Sequence, residues 1–155
     1  MARYEDFSVS KLRVGQIMEG LEGFDSYESL AAAKTLTKED SGKTFGLNLV
    51  GGFTVTLPLH SAVPIGTKFR FRVETAPTTA YIISAGSGDE DTIVGAVNTC
   101  TAHTAASDFE TAGADVVNFI ASQAVVGDWI ELQTNGTNWF VEGNCSVPAG
   151  ITLTG

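Results

Sequence analysis

Basic residues are missing from the second half of this 155-residue chain. All nine Lys and Arg lie at or before Arg72, where eight acids leave a balance of +1, while from Val73 onward ten acids stand with no base. An acidic surface repels nucleic acid and anionic lipid, which argues against either as a partner of the C-terminal half. Cysteine is scarce as well. Cys100 and Cys145 do not make a disulfide framework and read as free thiols. No stretch approaches the ~18 apolar residues of a membrane span, and M-A-R-Y-E-D-F-S-V-S lacks the apolar run of a signal peptide. The expectation is a protein kept in a cytosol, or exported by a route other than cleaved secretion, without a membrane partner.

Catalytic chemistry is equally thin. His60 and His103 are the two histidines, and neither sits in a recognised nucleophile arrangement. Cys100 and His103 have zinc-like spacing, but four ligands are reached only if both Cys145 and His60 join. Gly42-Lys43-Thr44 is no phosphate loop, because the glycine required five residues before its Gly-Lys is Thr37. The acidic Gly86–Asp91 stretch lacks the glycine and closing glutamate of an EF-hand and reads as a solvated hairpin tip. No enzyme activity, cofactor or metal is expected.

What is present points to β structure. Seventeen glycines, many threonines and little Leu or Lys suit strands and turns, and the length fits one domain that buries about 68–70% of its unfolded surface. The most legible stretch is Asp128–Glu142, two alternating runs joined by Asn135-Gly136. A two-residue turn there would face Thr134 with Thr137, Leu132 with Trp139 and Ile130 with Val141. Those last four side chains form a core face. Trp129, Glu131, Phe140 and Glu142 form the other, which suits a partly covered surface or a subunit contact.

A second hairpin is expected from Thr44–Leu49 and Phe53–Leu57 across Val50-Gly51-Gly52. Lys68–Glu74 alternates strictly, with Phe69, Phe71 and Val73 inward and Lys68, Arg70, Arg72 and Glu74 outward. Short strands are read at Tyr81–Ile83, Thr92–Val94, Val116–Ile120 and Ile151–Thr154, with residues 98–115 a long excursion of little regular structure. Asp25–Lys34 could form a short helix capped by Asp25, or the chain could already be a strand at Lys34–Thr37; Thr37–Gly42 reads as one helical turn. Residues 1 to 24 carry many apolar groups without a sustained period, and Gly15, Gly20 and Gly23 interrupt any helix. They read either as an arm that docks on something or as an irregular stretch packed on its own domain. The division expected is an arm at 1–34 and a β domain at 35–155. The fold class is all-β: a small sandwich or barrel-like antiparallel domain with an extended N-terminal arm.

Five stretches together resemble the head decoration, or cement, proteins of tailed bacteriophages. They are T-L-T-K-E-D-S-G-K-T-F at 35–45, G-G-F-T-V-T-L-P at 51–58, G-T-K-F-R-F-R-V at 66–73, V-V-G-D-W-I-E-L at 125–132 and G-T-N-W-F-V-E-G at 136–143. The resemblance implies a structural protein on the outer surface of the virion capsid, assembled in the host cytoplasm as a homotrimer and stabilising the shell. It also implies an N-terminal arm reaching the major capsid protein, for which Arg3, Tyr4, Phe7, Val9, Lys11, Leu12, Arg13 and Val14 are the candidate contacts. Trp129, Phe140, Arg70 and Arg72 are the candidate oligomer contacts. Tail-fibre and receptor-binding modules share similar local patterns, and Trp129 with Phe140 could then serve a glycan.

Overall fold

A computed structural model describes residues 27–99 and 108–155, with the side chains of 108–111 left undescribed. Twelve strands occur among the described residues. They are β1 (Tyr27–Leu30), β2 (Lys34–Thr35), β3 (Thr44–Leu47), β4 (Thr54–Thr56), β5 (Lys68–Val73), β6 (Tyr81–Ser84), β7 (Ile93–Thr99), β8 (Asp108–Ala114), β9 (Val116–Phe119), β10 (Trp129–Thr134), β11 (Trp139–Cys145) and β12 (Ile151–Thr154). One sheet has the order β1-β3-β5-β10-β11-β7-β8 and the other β12-β9-β6-β4-β2. The protein is an all-β sandwich.

Alternation builds the core between the sheets. Phe45, Phe69, Phe71, Ile130, Leu132 and Trp139 point in from the seven-stranded sheet and are fully buried; Val55, Tyr81, Ile83, Val117 and Phe119 meet them from the other. Phe45 stacks on Phe71 at 5.6 Å between ring centroids, and Phe69 meets Trp139 at 5.7 Å. Each such side chain contributes roughly 1.5–3 kcal/mol of burial, an upper figure because unfolded chains already bury some surface.

Both sheets are mixed, which corrects the antiparallel expectation. β1, β3 and β5 run parallel, as do β2, β4 and β6. The reason is that the chain changes sheet at each of these connections, so every second strand returns in the same direction. Thr44–Leu49 and Phe53–Leu57 accordingly form no hairpin: β3 and β4 belong to opposite sheets, and the glycine-rich link between them arches across the ~10 Å that separates packed sheets. β6 and β7 likewise lie in different sheets. The 98–115 excursion is more regular than expected, because β7 runs to Thr99 and β8 pairs with it from Asp108.

The short helix at Asp25–Lys34 is also corrected, since Tyr27–Leu30 is a strand. Leu30 enters the core, while Tyr27 and Ser29 point outward and donate hydrogen bonds of 2.5 Å each to Glu74. Those contacts outweigh the weak helical preference of a segment too short to hold a helix alone. The β domain therefore includes Tyr27 and does not start at 35. The helical turn is present as a one-turn 3-10 helix, Lys38–Asp40, preceded by Thr37 and followed by Gly42 at φ +87°.

Around that turn a polar clamp ties β1, β2 and β3. Lys34 Nζ lies 2.6 Å from Glu28 and 5.0 Å from the centre of the Phe45 ring, and Lys43 Nζ lies 2.9 Å from Asp40. The Lys34 hydrogen bond holds Glu28 below its ordinary value. Burial alone would raise Asp40, but Lys43, the Thr37 N–H and the charge of Lys34 outweigh it and lower it. The bond to Asp40 raises Lys43.

The β10–β11 hairpin keeps its expected faces with a different register. Thr134 pairs with Trp139 and Leu132 with Val141, leaving a four-residue loop, 135–138, in place of a two-residue turn. Asn135 Oδ1 accepts the N–H groups of Thr137 and Asn138, and Gly136 alone in the loop takes positive φ, +89°. The shift is by two residues, so no side chain changes face.

Gly136→Val should destabilise the domain by about 1–2 kcal/mol or more, because a β-branched residue must hold positive φ while its Cβ crowds the Ile65 side chain at 3.1 Å. A denaturant midpoint equal to that of the parent protein would contradict this. The clamp sets a pH signature. The contribution of Glu28 and Asp40 is present above the ordinary carboxylate range and is lost as pH falls through their lowered values, whereas that of Lys43 is lost only above the ordinary lysine range. Asp40→Asn should flatten the acid limb of a stability–pH curve, and an unchanged acid limb would contradict the clamp.

Candidate functional site

Alternation that fills the core also builds the opposite face of the seven-stranded sheet. Across its centre, Arg72, Arg70 and Lys68 of β5 stand beside Trp129, Glu131 and Gln133 of β10. The next strand, β11, places Asn144, Glu142 and Phe140 beside those three. All four residues expected as oligomer contacts, Arg70, Arg72, Trp129 and Phe140, therefore come together on one face.

Arg70 organises the middle of it. Its Nη2 and Nε lie 2.9 and 3.0 Å from Glu131 Oε2, and its guanidinium carbon lies 4.9 Å from the centre of the Trp129 ring. The ion pair fixes the guanidinium and the cation–π contact places it over the half-buried Trp129, each worth about 0.2–1 kcal/mol at an exposed site. Phe140 has no such cover and is 48% exposed. Trp129 is four residues along β10 from the position that Phe140 faces, so their backbone positions lie roughly 13 Å apart along the strands, a spacing that does not make one continuous sugar platform.

Glu131 and Glu142 are direct cross-strand partners. Like charges in that relation are unfavourable. Arg70 neutralises Glu131, whereas exposed Glu142 has no ion-pair partner among the described residues. On β5, exposed Lys68 and Arg72 also lack an ion-pair partner among the described residues. Two shallow depressions flank Glu131: about 210 Å³ against Gln133, Phe140 and Glu142, and about 170 Å³ against Lys43, Thr44, Lys68 and Arg70. Both are smaller than the usual small-molecule pocket of about 300–1,000 Å³. The arrangement suits broad polar and aromatic contact with another surface.

A second feature went unread in the sequence. The Gly86–Asp91 stretch is not a solvated hairpin tip: it connects the two sheets, and Asp89 is 2% exposed. Its Oδ2 accepts the His60 backbone N–H at 2.6 Å, and its Oδ1 lies 2.9 Å from His60 Nδ1. The ring Nδ1 forms no in-line hydrogen bond there, so the backbone N–H of His60 carries the contact. Sequence spacing holds no signal for this pairing, which joins residues 29 positions apart.

Cys145 is buried, and its thiol contacts the Val147 carbonyl and the Thr99 hydroxyl. Cys100 and His103 lie outside the described residues, as do all the expected capsid contacts, Arg3, Tyr4, Phe7, Val9, Lys11, Leu12, Arg13 and Val14. Among the described residues no three metal-ligating side chains cluster, and no helix is long and apolar enough to cross a membrane. No protein-family model matches the chain, and no curated protein matches it.

Asp89→Ala should cost about 1–3 kcal/mol, because the His60 backbone N–H loses the buried carboxylate that accepts it. Treatment with EDTA should leave the melting temperature unchanged, since Asp89 holds His60 and Glu90 accepts from the Gly88 N–H. An Asp89→Ala midpoint equal to that of the parent, or a melting temperature that falls in EDTA and recovers with calcium, would contradict these assignments.

Proposed function

We propose that this protein is a capsid decoration protein, which binds the outer surface of a tailed-phage shell, contacts the major capsid protein and stabilises the particle. The observation that carries the reading is where the resembling stretches fall. Those at 66–73, 125–132 and 136–143 supply β5, β10 and β11, which are neighbours and build the aromatic and charged outer face.

In this reading the body assembles as a homotrimer and the N-terminal arm supplies capsid affinity. Arg3, Lys11 and Arg13 meet acidic groups on the shell, while Tyr4, Phe7, Val9, Leu12 and Val14 bury apolar surface. Several arms on one particle act at high effective concentration, so each contact can be weak while the assembly stays bound. The acidic C-terminal half then keeps finished particles apart by mutual repulsion.

Purified expanded shells of the cognate major capsid protein test the reading. The full chain should cosediment with them to a fixed stoichiometry and raise their melting temperature, and reversing Arg3, Lys11 and Arg13 to Glu should lower apparent affinity roughly tenfold or more. A full chain that stays in the supernatant at saturating shell concentration would overturn the proposal. Binding to host polysaccharide instead would favour the receptor-binding alternative.

A further inference from the structure

Asn135 is the one asparagine of six that a glycine follows; the other five precede Leu, Thr, Phe, Trp and Cys. The residue after an asparagine decides how readily its side-chain amide reacts with the backbone. The nitrogen of that next residue is the nucleophile, and a side chain there crowds its approach to the asparagine Cγ. Gly136 has none. Asn135 is exposed in the loop that joins β10 to β11, so water reaches its amide.

The fold also holds the atom on which charge develops. Asn135 Oδ1 accepts the backbone N–H groups of Thr137 at 2.9 Å and of Asn138 at 2.8 Å. Attack on Cγ moves negative charge onto that oxygen, so both donors strengthen as the bond forms, in the manner of an oxyanion hole. They also turn the side chain toward the backbone that follows it. Against this, the Gly136 N–H donates to Thr134 Oγ1 at 2.9 Å, a bond that the attack must break. Two donors to a developing anion outweigh one neutral hydrogen bond.

We propose that Asn135 is a site of spontaneous deamidation in the folded protein, with water as the only co-reactant. The Gly136 nitrogen gives up its proton to solvent and bonds to Asn135 Cγ. The Cγ–Nδ2 bond breaks, and the amide leaves as ammonia with a proton taken from water. Water then opens the five-membered imide, at the side-chain carbonyl to give aspartate or at the backbone carbonyl to give isoaspartate. Nothing is oxidised or reduced. Either product adds a negative charge to the half of the chain that holds ten acids and no base from Val73 onward. Aspartate keeps the loop, because its carboxylate accepts the same two N–H groups. Isoaspartate inserts a methylene into the backbone beside Gly136 and disturbs the bond from the Asn135 N–H to the Asn138 carbonyl, 3.2 Å long.

Incubation of the full chain at mildly alkaline pH tests it, with peptide mapping by mass spectrometry and enzymatic methylation to count isoaspartate. Circular dichroism checks that the sample stays folded. The folded chain should exchange amide for acid at residue 135 ahead of the other five asparagines, and at least as fast as the same chain unfolded in urea. The rate should rise with pH, since the attacking nitrogen must first lose its proton. Asn135→Gln should abolish the early signal, because the longer side chain closes a less favourable ring. A folded chain that keeps its amide at 135 while the unfolded chain loses it, or conversion that begins at another asparagine, would overturn the proposal.

Discussion

The packed layer of rings between the two sheets sets the terms for the rest of the molecule. Phe45, Phe69, Phe71 and Trp139 are fully buried and in mutual contact, so β3, β5 and β11 must keep strict two-residue alternation. A strand slipped by one residue would expel its aromatics and draw Arg70 or Glu142 into a region where an unpaired charge is very costly. The outer face is therefore a dependent variable: once the rings are placed, Arg70, Trp129, Glu131, Phe140 and Glu142 have nowhere else to point. Buried carboxylates secure the loops around this layer. Asp128 accepts from Val125 N–H, Ser146 N–H and the Ser146 hydroxyl, and Asp89 holds the turn at His60.

Alternation is a local property, and whatever depends on it was legible in the sequence. The buried face of β5, the two faces of the β10–β11 hairpin and the late strands β9 and β12 follow from side-chain period alone. Strand partnership is not local. Gly51-Gly52 looks the same whether it closes a hairpin or carries the chain from one sheet to the other, and only the second choice buries Val55 and Leu47 on facing sheets. The same limit hid the Asp89–His60 contact and turned Tyr27–Leu30 from an expected helix into an edge strand. Its decisive partner, Glu74, lies 47 residues beyond Tyr27. The hairpin register failed more gently, because a four-residue loop and a two-residue turn differ by an even step.

Gathering Arg70, Arg72, Trp129 and Phe140 on one face joins the acidic imbalance of the chain to its architecture. A polarity written along the sequence becomes a polarity across a sheet, with bases on β5 and an unpaired acid on β11. Surfaces of this kind gain specificity from sign order more than from area, since a partner of uniform charge is repelled somewhere along the face. The proposed decoration role would use the same economy, with modest contacts repeated over many identical sites.

Trp129 reports on that face directly, because the other tryptophan, Trp139, is fully buried in the core of the single chain. Acrylamide, an uncharged quencher, reads its accessibility without disturbing electrostatics. If the face is covered by a second copy, tryptophan fluorescence of the full chain should resist quenching at low salt and become quenchable when salt separates the copies. Equal quenching at low and high salt, with Trp129 accessible in both, would contradict the account.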